Sequence, residues 1–136
     1  MLGLISMPML TASQVRLLQA FSTACRRTII EMLFQSQSGH PGGSLSSIDF
    51  LTVLYTFIIS QTGEKVVVSN GHISPALYSV LAELGYCSKS EVIRTFRQTG
   101  SIFEGHVSRD VPGIWYGTGP LGIGTSVASG FAHAAK

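Results

Sequence analysis

Charged side chains are scarce in this sequence: Asp, Glu, Lys and Arg make up 12% of it, where about a quarter is usual. So few ions cannot cover the surface of a 136-residue domain that stands alone, which predicts a face buried against a partner. A compact, glycine-rich α/β domain with an ordinary core is the simpler alternative. The net charge is +2 and the Lys and Arg residues are scattered, so no nucleic-acid partner is expected. Cysteine is nearly absent. Cys25 and Cys87 are too few for a disulfide framework and too far apart for a CxxC metal site, and they read as reduced packing residues. Long apolar runs are missing too, each being broken by Ser, Thr, Gln or Gly before the ~18 residues that a membrane-spanning helix needs, so no membrane partner is expected. The start, "MLGLISMPML", is apolar but has no basic residue before Arg16, and so lacks the n-region of a signal peptide. Residues 1–10 read as a tail and residues 11–136 as one domain, with a cytoplasmic location expected.

What is present is a series of helices punctuated by glycine. "TASQ" offers a capping box, Thr11 as N-cap and Gln14 three residues on, for a helix over 11–37. Val15, Leu18, Cys25, Ile29 and Met32 give it an apolar stripe. "GHPGG" predicts a rigid loop, after which Ser44 or Ser46 caps a second helix running to about Ser60. "KVVVS", residues 65–69, has the pattern of a buried strand covered on both faces. Ser74 as N-cap, Pro75 and the terminator Gly85 bound a third helix, and "SKSE" opens a short one to about Gln98. Residues 99–118 read as a long loop, followed by a small-residue helix from near Thr125. There is no internal repeat and no low-complexity tract.

Three loops share one design, a histidine placed directly after a glycine: Gly39-His40, Gly71-His72 and Gly105-His106. Glycine lets backbone approach a ligand closely, and imidazole gives or takes a proton near neutral pH or donates to an anion. A single loop histidine is more often a local hydrogen-bonding residue, but three in one setting point to a site. Zinc would suit three histidines, yet none has a partner at the short spacings typical of zinc sites. "GTGPLGIG" has glycines at 117, 119, 122 and 124 but not the spacing or the acidic residue of a dinucleotide fingerprint.

"SGHPGGSLSSIDFLTVLY", "VSNGHISPALYSVLAELGY", "FRQTGSIFEGH" and "GTGPLGIGTSVASGFAHAAK", in that order, resemble the N-terminal part of the transketolases, over about residues 13–136. These enzymes move two-carbon ketol units between sugar phosphates with thiamine diphosphate. The resemblance implies an α/β fold, a parallel sheet flanked by helices, helix-rich at its N-terminus and incomplete here, with residues 11–136 as part of the diphosphate-binding domain. It implies a homo- or hetero-oligomer with the site at an interface. By motif, His40 would lie by the reacting end of the substrate and assist proton transfer, and His106 would hydrogen-bond the donor ketose, making both catalytic and substrate-binding. His72 would reach thiamine diphosphate, and the turn Gly119, Pro120 and Leu121 would lie along it through backbone groups.

The sequence departs from the family's "GHPE" at Val107 and Ser108, and from the glutamine of "GPLGQG" at Ile123. The resemblance places the segment that holds the magnesium (or calcium) ion beyond Lys136, and the glutamate that activates the cofactor in another domain; Asp49 and Asp110 match neither. The chain is therefore expected not to be active alone, and to act with the remaining transketolase segments or subunits on sugar-phosphate substrates. An inactive truncated paralogue acting as an interaction partner, or a segment of a related enzyme such as deoxyxylulose-phosphate synthase, are the alternatives.

Overall fold

The computed structural model describes residues 9–136. The expected tail, residues 1–10, lies outside them except for Met9 and Leu10. Helix α1 (Ala12–Ser36) starts as its sequence predicts: Gln14 N–H donates to Thr11 Oγ1 at 3.3 Å and Thr11 N–H to Gln14 Oε1 at 2.8 Å. Gln37, left-handed at φ 50°, ends it. Cys25, Ile29 and Met32 of its stripe are fully buried. Its partner α2 (Pro41–Val53) begins three residues earlier than the first expected cap. The expected loop is therefore corrected: proline's fixed φ suits the first helical position, so Pro41, Gly42 and Gly43 form the opening turn. His40 is the N-cap residue, extended at φ −120°. Helical winding continues through a π-helical stretch (Leu54–Ile59) and α3 (Ser60–Thr62), closed by Gly63 at φ 66°.

This continuous helix, Pro41–Thr62, is by length and composition apolar enough to cross a membrane, with mean hydropathy 1.4 over its best window. The expectation that no segment reaches that length is corrected, because Ser and Thr interrupt the apolar run without lowering its mean enough. In the structure it packs on α1 and on α4 below, burying Ile48, Leu51 and Tyr55, and Asp49 pairs with Arg26 of α1 at 2.7 Å.

The expected α/β class is overturned: no strand and no sheet occurs among the described residues, which are 61% helix. Lys65–Ser69 is irregular, for a strand exists only by hydrogen bonding to a neighbour and none lies beside it among the described residues. Its apolar pattern is satisfied otherwise. Val68 is buried, and Val66 to Ser69 face Phe50, Leu51 and Leu54 of the helix before it across a narrow groove.

A 3-10 turn (Gly71–Ile73) leads into α4 (Ser74–Glu83), which is apolar all round and buried from Ser74 to Ala82. Such a helix belongs at the centre. Packed around it are α1, α2 and α5 (Lys89–Thr95). Gly85 at φ 81° ends α4, and Ser88 caps α5 by accepting from Glu91 N–H at 3.4 Å. Residues 99–118 are free of helix and strand, with Phe103, Val107 and Val111 buried in the core. The last helix, α6 (Gly124–Ala134), buries only Gly124, whose missing side chain lets Ser69 approach; a Cβ there would stand 2.7 Å from Ser69 Cβ.

Candidate functional site

The three Gly-His loops converge. The His40 and His72 rings lie edge to face with centroids 4.7 Å apart, and those of His72 and His106 are 4.6 Å apart. His72 Nε2 and His106 Nε2 are within 3.4 Å, close enough to share one N–H. His40 is exposed and the other two are half-buried, so the row runs from the surface inward.

Each ring is held by its neighbours in sequence. His40 takes its direction from the rigid start of α2, and His72 from the 3-10 turn that precedes α4. The His106 loop has no regular structure and hangs on α4 by two hydroxyls. Ser74 Oγ donates to Gly105 O at 2.8 Å. Tyr78 Oη donates to His106 O at 2.8 Å and accepts from Ser108 N–H at 2.9 Å. Burial raises the Tyr78 phenol above its usual range, so it stays protonated and able to donate.

The glycine turn joins them through Thr118. Thr118 N–H donates to Val107 O at 2.9 Å, and Val107 N–H donates to Thr118 Oγ1 at 3.0 Å. A Cβ on Gly71 would come within 2.0 Å of Thr118 Oγ1, so only glycine admits this contact beside His72. Gly119, Pro120 and Leu121 follow as an exposed turn, and Gly124 N–H at the start of α6 donates to Ser69 Oγ at 3.2 Å. All the residues singled out in the sequence thus lie in one connected group of loops.

Tyr78, Ser74 and Thr118 were not legible as parts of it. Ser74 reads as a cap and Thr118 as loop; Tyr78 alone carries a signal, since a hydroxyl on an apolar helix needs a buried partner. Among the described residues no group of three or more His, Cys, Asp or Glu is arranged to hold a metal ion. The zinc alternative is thereby corrected, and the divalent cation implied by the resemblance has no ligand set within residues 9–136.

Comparison with known proteins agrees with the motifs. The family model "Transketolase, thiamine diphosphate binding domain" matches residues 18–136. One of the two subunits that make up an apulose-4-phosphate transketolase in Phocaeicola vulgatus is 40% identical over 131 residues, covering 90% of this chain and 46% of that protein. Transketolase of Treponema pallidum is 36% identical over 126 residues, covering 86% and 19%, and transketolase 1 of Saccharomyces cerevisiae 37% over 112 residues, covering 77% and 16%. The chain thus spans less than half the length of these relatives. With its histidine loops and glycine turn gathered as described and nearly all of its length matched, the chain belongs to the transketolase family, as its thiamine diphosphate binding domain.

Proposed function

We propose that this chain supplies the histidine cleft of a two-carbon ketol transferase acting on sugar phosphates, in a site completed by another segment or subunit. The observation that carries the reading is the convergence of His40, His72 and His106 from three separate loops. The Phocaeicola relative bears the name of a transketolase subunit, which supports a partner chain, and the phosphorylated sugar in that name supports the substrate class. Exposed apolar side chains, with Leu17, Phe34 and Phe50 each about 70% accessible, suit burial against such a partner.

The residues present suit thiamine diphosphate. The cleft offers imidazole N–H groups, a bare turn at Gly119 to Leu121 against which a ligand can lie, and the N-terminal end of α6, which favours phosphate. When bound, the cofactor supplies the carbon nucleophile and the electron sink. The chain's own residues position and move protons. His72 holds the cofactor side, while His40, the exposed ring, takes the proton from the C3 hydroxyl of a ketose as its C2–C3 bond breaks and returns it on the acceptor aldehyde oxygen. His106 donates to a hydroxyl of the same ketose and is kept in register by Tyr78.

The test is reconstitution with the remainder of a transketolase. Thiamine diphosphate binding and ketol transfer are expected in the complex, with His40→Ala and His106→Ala each lowering kcat/KM by roughly a hundredfold or more, the range for a lost proton-transfer group. His72→Ala is expected to weaken cofactor binding most. Turnover unchanged by all three substitutions would leave the chain a non-catalytic partner.

A further inference from the structure

Arg97 stands out once the histidines are accounted for. Its backbone is left-handed at φ 58°, a conformation that glycine or asparagine ordinarily supplies after a helix. Two residues past α5, it donates its N–H to Phe103 O at 2.8 Å and so closes the loop that leads to His106. Its guanidinium lies broadside against Gly105. A Cβ on Gly105 would stand 2.9 Å from Arg97 Nε, 3.0 Å from Cζ and 3.3 Å from Nη2, so the bare backbone beside His106 is what admits it.

This cation has no counterion. Arg26 pairs with Asp49 and Lys89 with Glu83, but no carboxylate lies at ion-pair distance from Arg97 among the described residues, and residues 1–8 contain no Asp or Glu. A residue needed only to end α5 would be glycine or asparagine, and one needed only for solubility would not be held against a glycine in a strained backbone. An exposed guanidinium, fixed one residue from His106 with its planar fork of donors unused, is suited to a phosphate group.

We propose that Arg97 is an anion anchor at the edge of the histidine cleft, binding a phosphate group of the ligand. Assigning that phosphate to the sugar rests on the ketol-transfer reading above; the diphosphate of the cofactor is the other source of the same chemistry. In the reconstituted enzyme, Arg97→Gln is expected to raise KM for the phosphorylated acceptor roughly tenfold to a hundredfold, the share of one charge-assisted hydrogen-bonded pair. KM for the same sugar without its phosphate stays unchanged. A rise in the Kd of thiamine diphosphate in place of that KM effect assigns the anchored phosphate to the cofactor. Equal effects on both sugars, or no effect on any ligand, overturn the anchor.

Inorganic phosphate gives a readout independent of turnover. Titrated into the chain, it is expected to move the Arg97 Nε–H resonance in the NMR spectrum. A resonance that stays in place overturns the anchor, whereas one that moves in a complex without ketol transfer keeps the anchor and removes only the sugar assignment. Arg97→Gly guards against misfolding, since it relieves the left-handed residue. Its Tm is expected to equal or exceed that of the wild type while the rise in Tm produced by inorganic phosphate disappears; a rise equal to the wild type's overturns the proposal.

Discussion

His72 Nε2 and His106 Nε2 meet at 3.4 Å although 34 residues separate them in the chain. A bond between two imidazole nitrogens needs one N–H and one lone pair, so the rings are held in complementary tautomers. The state of one ring therefore fixes what the other offers a ligand. Removing either should remove this relation, so His72→Ala and His106→Ala are expected to be non-additive. In a double-mutant cycle on the Kd of thiamine diphosphate in the reconstituted enzyme, the coupling is expected at about 0.5–3 kcal/mol. Additive effects would show that the two rings act separately.

Tyr78→Phe deletes one oxygen and leaves two polar groups unpartnered, the carbonyl of His106 and the N–H of Ser108. Both lie in a part-buried loop, so the loss is expected at about 1–3 kcal/mol. Chemical denaturation would show it as a lower midpoint with an unchanged m-value. The packing of the ring on Phe96 and Phe103 survives the change, so a larger loss would mean that the hydroxyl organises more than this loop.

The pairing of Val107 with Thr118 carries a second cycle. Val107→Pro removes the N–H that Thr118 Oγ1 accepts, at an expected cost of about 1 kcal/mol. In a Thr118→Ala background that bond is already gone, and the same substitution is expected to cost less. Equal costs in the two backgrounds, measured by urea unfolding, would mean that proline acts through backbone strain.

Alkali should destabilise the chain in a defined window. Burial, with the nearby Glu83 carboxylate adding to it, pushes the Cys25 thiol up to about 12. In the unfolded chain a thiol ionises near ~8.5, so above that pH the unfolded state loses the proton first and stability falls. The contribution is fully present below ~8.5 and is lost as pH rises towards the folded value, by at most ~1.4 kcal/mol per pH unit. Urea unfolding between these limits is expected to show a shallower decline for Cys25→Ala than for the wild type, though the variant is less stable at neutral pH. Parallel declines would place the effect elsewhere, with Tyr55, also pushed up to about 12 by burial, the first group to examine.

The helices were legible because their signals are local. Thr11 with Gln14, Ser88 with Glu91, and Gly85 past α4 each act within one turn, and each appears at its place. The boundary at Pro41 was misplaced by three residues because Gly42 and Gly43 read as a turn, while the proline before them had already set helical geometry. Lys65–Ser69 was misread for a deeper reason. Apolar β-branched residues mark a segment to be covered, and helices cover it here as a sheet would. The histidine loops were legible as chemistry but not as geometry: nothing local to Gly105-His106 states that Ser74 and Tyr78, about 30 residues earlier, will hold it.

The central position of α4 has one more consequence. The turn bearing His72 opens directly into this helix, and the loop bearing His106 hangs from two of its hydroxyls. A helix buried along its whole length has no route to fraying of its own, so its amide protons are expected to exchange only when the entire chain unfolds. The cleft then has the lifetime of the fold itself, and an incoming ligand meets it ready-made, losing little affinity to ordering it.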